Sequence, residues 1–203
     1  MDKKKLGIMG GTFDPIHNGH LITAEYIRKQ LKMEKVLFIP AYVAPHKIGG
    51  EFALALDRYN MVELAIKDNP HFALSDIEIK RAGVSYTYDT IKTLYDKYKD
   101  KYDLNFLVGA DSVTQLGTWH KIKEIMEICT FVAAKRPGFT LELDKVEELF
   151  GDLGKRSIVW VDTPTVDVSA TDIRQRVKDN LPIDNLVPQA VAEYIRQKDL
   201  YRR

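Results

Sequence analysis

The sequence is short of several features that would assign it quickly to a class. Its 203 residues contain one cysteine, Cys129, so no intrachain disulfide framework can form and a reducing compartment is the default. Charge of one sign is lacking too: 30 Lys and Arg stand against 29 Asp and Glu, a formal net charge of +1. There is thus no global basic field of the kind a dedicated nucleic-acid binder carries, and no nucleic-acid partner is expected. A local phosphate site stays open. No apolar run approaches the roughly 18 residues of a membrane span, so no membrane partner is expected either. Lys3, Lys4 and Lys5 could begin a signal peptide, but the apolar stretch after them is too short and ends at Gly10-Gly11. These absences lead us to expect a soluble, cytoplasmic chain. At 45% hydrophobic and 29% charged it can bury a core, which excludes global disorder.

Internal repeats and low-complexity linkers are also missing, so one domain over 1–203 is expected. What is present is an alternation. Short, β-rich apolar runs at 6–9, 35–39, 72–79, 104–108, 130–134 and 157–162 read as strands, most of them buried on both faces. The run at 72–79 alternates in two halves that are out of phase, which fits a bulge or an edge strand. Between the runs lie helical faces: Leu21, Ala24, Ile27 and Leu31; Met61, Val62, Leu64 and Ala65; Tyr88, Ile91, Leu94 and Tyr98; Ile122, Ile125 and Met126. After Asp162 only helices follow, over 171–178 and 188–197, with Pro188 suited to a first helical position. The pattern predicts an α/β fold, a Rossmann-like, doubly wound parallel sheet with a C-terminal helical segment over about 165–203. In such sheets ligands bind beyond the carboxyl ends of the strands.

After the first strand the chain reads Gly10-Gly11-Thr12-Phe13-Asp14-Pro15-Ile16-His17-Asn18-Gly19-His20. Two glycines permit a tight turn and a close backbone approach to a ligand. Thr12 offers a hydroxyl. His17 and His20, three apart at a helix start, fall on one side near the positive end of the helix dipole, and Gly19 leaves room between them. Such a group of donors suits a polyphosphate. Neither G-x-G-x-x-G nor the P-loop pattern occurs. His-x-x-His could ligate zinc, but no third ligand is near, and no resident metal is expected. A pair of histidines alone is more often structural than catalytic; the eleven-residue string is far more specific.

That string resembles the signature of the nucleotidylyltransferase superfamily, with His17-Asn18-Gly19-His20 as its H-x-G-H motif. The superfamily's Ser/Thr–Arg motif is matched by Val168-Ser169-Ala170-Thr171-Asp172-Ile173-Arg174. There Ser169 is a good N-cap, and Thr171 and Arg174 fall in the first turns of a helix able to hold terminal phosphates. From about Leu6 onward the chain is most similar to the bacterial nicotinate-nucleotide adenylyltransferase family. Pro40-Ala41-Tyr42-Val43-Ala44-Pro45-His46-Lys47, the Ser85-Tyr86-Thr87 segment, Gly109-Ala110-Asp111-Ser112, Trp119-His120 and Lys135-Arg136-Pro137-Gly138 carry that likeness.

The resemblance implies adenylyl transfer from ATP to nicotinate mononucleotide, giving deamido-NAD and pyrophosphate in NAD biosynthesis. His17, His20, Thr12 and Arg174 would be the catalytic set. Gly10, Gly11, Gly109, Asp111, Ser169 and Thr171 would join them around ATP. His46, Lys47, Tyr86, Thr87, Trp119 and Arg136 would bind the mononucleotide, the ring stacked on Trp119 and its carboxylate met at Thr87. Both of these roles are physically sensible. Where the family often has Asn, this chain has Ala41. Mg²⁺ would arrive with ATP. Homodimers are common among such enzymes, so the resemblance allows one. Amide mononucleotide or phosphopantetheine as acceptor, or a non-catalytic nucleotide sensor, are the competing readings. Phosphopantetheine enzymes lack the S-Y-T and Trp segments, and a sensor would be expected to have lost phosphate-handling groups.

Overall fold

A computed structural model describes residues 3–45, 52–135 and 143–202, with the backbone only at 143 and 144. Six strands form one sheet: β1 (Lys4–Gly11), β2 (Lys35–Pro40), β3 (Phe72–Leu74), β4 (Tyr102–Gly109), β5 (Thr130–Lys135) and β6 (Ile158–Asp162). Their order is β3-β2-β1-β4-β5-β6, all parallel. β1 pairs with β4 from Lys4 opposite Tyr102 to Ile8 opposite Phe106, and β5 continues outward with Phe106 opposite Phe131. The winding direction reverses between β1 and β4, so the switch point lies where β1 ends in Gly10-Gly11 and β4 ends in Val108-Gly109. The α/β Rossmann-like expectation is met. Leu104, Phe106, Leu107 and Val108 of β4, and Phe131 to Ala134 of β5, are buried without a break, the mark of strands covered on both faces.

Nine helices are described: α1 (Asn18–Gln30), α2 (Ala55–Ile66), α3 (Ile77–Arg81), α4 (Thr87–Tyr98), α5 (Ala110–Val113), α6 (Ile122–Ile128), α7 (Leu143–Ser157), α8 (Ala170–Lys178) and α9 (Gln189–Gln197). The expected faces are the buried ones, with Ala24 and Ile27 on α1 and Ile91 and Leu94 on α4. Three details differ. The run 72–79 is a strand only to Leu74, at the sheet edge; its second half is α3, begun where the Ser75 hydroxyl accepts from the Ile77 amide (3.4 Å). The phase break thus marked a change of element. Helix α7 was not expected; Val146 and Phe150 share its buried side, but Gly151, at φ 54°, and Gly154 interrupt the pattern. Pro188 caps α9 from outside, at ψ 146°, and Gln189 is the first helical residue.

The residues gather in two compact units. Unit 1 holds the described parts of Met1–Gly10, Thr23–Leu37 and Tyr86–Thr165, and unit 2 those of Gly11–Ile22, Phe38–Ser85 and Val166–Arg203. Ile8, Ile27, Ile91, Ile125 and Phe131 are fully buried in unit 1, and Ile16, Phe38, Met61 and Ile173 in unit 2.

Candidate active site

In unit 2 the chain leaves β1 after Gly11 rather than turning at the glycines. The left-handed residue is Phe13, at φ 50°, and the Asp14–Pro15 peptide is cis. The glycines are needed for packing. A Cβ at Gly10 would stand 3.2 Å from the Phe106 ring, and one at Gly11 3.2 Å from the Phe13 ring. Gly19 likewise leaves no open room. A Cβ there would meet His17 Nδ1 at 3.1 Å and Val168 at 3.2 Å, so the glycine admits its own neighbours rather than a ligand.

The expected pairing of the histidines is present and closer than spacing implies. Their rings stack with centroids 3.7 Å apart, and the buried Phe13 lies edge-on to His20 at 5.2 Å. The His17 amide donates to His20 Nδ1 (3.3 Å), which assigns the His20 proton to Nε2. His17 is buried, and burial pushes its pKa down to about 4, so it is neutral at pH 7. His17 offers a hydrogen-bonding ring, not a charge, and its Nδ1 has no hydrogen-bond partner among the described residues. The Asn18 amide, first in α1, is taken by the Leu186 carbonyl (2.9 Å).

Sequence reasoning missed the group that holds this loop in place. Arg58, on α2 and only 3% exposed, donates to the carbonyls of Thr12 (2.6 Å), Ala41 (2.7 Å), Tyr42 (2.9 Å) and Ala53 (3.0 Å). Burial lowers its pKa and the nearby Asp14 raises it, while the guanidinium stays charged. Nothing in the sequence separates Arg58 from an ordinary helix-surface arginine. The same contacts bear on Ala41: its amide donates to Gly11 O (2.8 Å) and its carbonyl accepts from Arg58, so the family's asparagine contact is not replaced by a free backbone donor here. Ser85 is buried as well. Its hydroxyl accepts from the Tyr42 amide (3.0 Å), so the first residue of the S-Y-T segment serves the loop after β2.

The late helix behaves as the sequence implies. Ser169 caps α8, its hydroxyl accepting from the Asp172 amide (3.0 Å). Arg174 donates to Thr171 Oγ1 (3.2 Å) and to the Asp14 carbonyl (2.7 Å), with the Asp14 carboxylate 3.9 Å away. Unit 2 therefore brings Gly11, Thr12, His17 and His20 together with Ser169, Thr171 and Arg174.

Unit 1 holds the other described candidates. Gly109 ends β4 and Asp111 is exposed in α5. Tyr86 caps α4 from outside, and Thr87 is its first residue. Trp119, half-buried, meets Phe106 and Phe131 edge-on, each at 6.0 Å. His120 lies 5.1 Å from Tyr86 and 6.0 Å from Tyr88, and the Lys121 ammonium sits 4.3 Å over the Tyr88 ring. Gly10 packs on Phe106 in the same unit. His46, Lys47 and Arg136 lie outside the described residues. Among those described, no three His, Cys, Asp or Glu gather so as to hold a metal ion.

Residues 8–176 match the cytidylyltransferase-like family model. A probable nicotinate-nucleotide adenylyltransferase of Thermoanaerobacter sp. (strain X514) is 45% identical over 204 residues, covering 98% of this chain and 95% of its own. The chain belongs to the nicotinate-nucleotide adenylyltransferase family. A relative of the same name in Bacillus pumilus is 41% identical, with 98% of both chains covered. Among solved structures, Plasmodium falciparum nicotinic acid mononucleotide adenylyltransferase complexed with NaAD matches 98% of the chain with a TM-score of 0.80 at 18% identity, a likeness of fold. Among the described residues no helix of this family member is long and apolar enough to cross a membrane.

Proposed function

We propose that the chain transfers the adenylyl group of MgATP to nicotinate mononucleotide, releasing pyrophosphate and forming deamido-NAD. The observation that carries the reading is the cluster at the start of α1, where the stacked His17–His20 pair lies in the same unit as Thr12, Thr171 and Arg174. Family membership over the whole chain supports the acceptor. A 5′-phosphate oxygen of the mononucleotide bonds to the α-phosphorus of ATP while the bond to the bridging oxygen breaks, and pyrophosphate leaves. The nucleophile is already anionic, so no strong general base or covalent intermediate is required. The protein's task is to hold two anions in line and stabilise charge on the α-phosphate and leaving group. The His20 Nε2 proton, the Thr12 hydroxyl and Arg174 are suited to that charge, with Thr171 and the Ser169-capped helix start at the terminal phosphates. No carboxylate cage is present among the described residues, and Mg²⁺ would enter bound to ATP. Thr87, Tyr86 and Trp119, with His46, Lys47 and Arg136, are assigned to the mononucleotide; a hydroxyl and amides favour its carboxylate over a carboxamide. Gly109 and Asp111 are assigned to the nucleoside part of ATP.

The test is pyrophosphate release from ATP with the acid mononucleotide, the amide mononucleotide and phosphopantetheine side by side. The acid is expected to give the highest kcat/KM, and His20→Ala to lower kcat by a factor on the order of 100 or more with an unchanged melting temperature. A preference for either other acceptor would overturn the assignment, and ATP binding with no pyrophosphate from any acceptor would leave the sensor reading.

A further inference from the structure

The last residues of the chain return to the loop after β1. Tyr201, which follows α9, donates its hydroxyl to Asp14 Oδ1 (2.7 Å) across 187 positions of sequence. Asp14 is 2% exposed, and its other partner on that oxygen is the Ala53 amide (3.1 Å). Its second oxygen, Oδ2, has no hydrogen-bond partner among the described residues and looks toward Arg174. A buried carboxylate is expensive unless it is held by donors, so each of these contacts is consequential. Tyr201 is well suited to hold it. Burial and the neighbouring carboxylate push its pKa up, so the hydroxyl is a donor at every working pH. Its backbone stands at φ 66°, a conformation L side chains rarely adopt unless the surroundings impose it. Those surroundings are tied by hydrogen bonds: Tyr194 of α9 donates to Asp57 (2.8 Å) and accepts from Asn60 (3.0 Å) on α2, and the carbonyls of residues 185 and 186 accept from Asn18.

We infer that Tyr201 is a positioning residue for triphosphate binding: through Asp14 it fixes both the loop that leads to His17 and the guanidinium of Arg174. Arg174 reaches the Asp14 carbonyl, so a shift of Asp14 moves the cation assigned to the β- and γ-phosphates. The inference rests on the adenylyltransferase reading for its assay but not for its geometry.

The experiment compares wild type with Tyr201→Phe, which keeps the ring and deletes only the hydroxyl. The variant is expected to raise the KM for ATP about fivefold to tenfold while leaving that for nicotinate mononucleotide within about twofold. In an Arg174→Ala background the same change should have a smaller effect, because the part carried through Arg174 is already lost and only the tie to the His17 loop is left. An unchanged KM for ATP, even with a lowered melting temperature, overturns the inference. So does an equal rise in both constants, or an undiminished effect in the Arg174→Ala background. If wild type releases no pyrophosphate, the reaction assignment has failed, and calorimetric binding of MgATP decides this point separately: weaker binding by Tyr201→Phe supports the tie, and equal binding overturns it.

Discussion

A buried imidazole with a pKa near 4 makes His17 a pH-sensitive element of stability. Above about pH 6.5 both the folded and the unfolded chain carry it neutral, and it adds nothing to the pH dependence. Between about 6.5 and 4 the unfolded chain binds a proton there and the folded chain does not, so stability falls as pH falls; below about 4 the loss levels off. The full loss is on the order of 3 kcal/mol. Urea unfolding of wild type and His17→Gln between pH 7 and 4 tests this, with the variant expected to show a shallower slope. Matching slopes would mean that the folded protein accepts the proton at His17. The same burial changes the electrostatics of the site. In this chain of net charge +1, His17 adds no positive charge near neutral pH, so under the proposed reaction the field for a polyphosphate is assigned to Arg174 and the start of α8.

At the scale of elements, the loops after β1 and β2 depend on a helix that supplies none of the assigned ligands. Arg58 of α2 reaches carbonyls at residues 12, 41, 42 and 53, and so joins two strand-end loops to the start of its own helix. Arg58→Met is expected to strand four carbonyls and lower stability by about 3–5 kcal/mol, read as a drop of several degrees in melting temperature. Arg58→Lys should recover only part of it, because an ammonium has three donors and lacks the planar fork. A methionine variant as stable as wild type would contradict this role. The Ser169 cap is a simpler device, local in sequence, and it was legible as such.

At the scale of the molecule, the described candidates divide between two units, with the histidine and α8 groups in unit 2 and Trp119, Tyr86 and Thr87 in unit 1. The division does not follow the two substrates, because Gly109 and Asp111, assigned to ATP, also lie in unit 1; the kinetic consequence under the proposed reaction comes from the individual roles. Trp119→Ala is expected to raise the KM for the mononucleotide by about tenfold or more through lost stacking, while Thr171→Val raises that for ATP. Steady-state kinetics with each substrate varied in turn separates the two; Trp119→Ala acting on ATP alone would reverse the assignment.

Much of this was written locally and could be read locally. Short continuous apolar runs and period-3.6 faces mark the strand–helix alternation. The β1 signature and the α8 signature each lie within a dozen residues, so both histidines, Ser169, Thr171 and Arg174 are legible as candidates from local sequence and its family resemblance. Local cues are ambiguous in two places: 72–79 begins as the edge strand its pattern allows but changes element at Ser75–Asp76, and Gly151 and Gly154 mask the helical face of α7. What sequence could not supply were contacts between distant segments. That Arg58 holds Thr12, that Tyr201 reaches Asp14, that Gly19 makes room for Val168, and that His17 is neutral all depend on which side chains burial brings together. A pattern of neighbours along the chain determines elements and motifs. The protonation of a ring and the partner of a buried charge are decided only by the solvent that folding removes and by the donors it places instead.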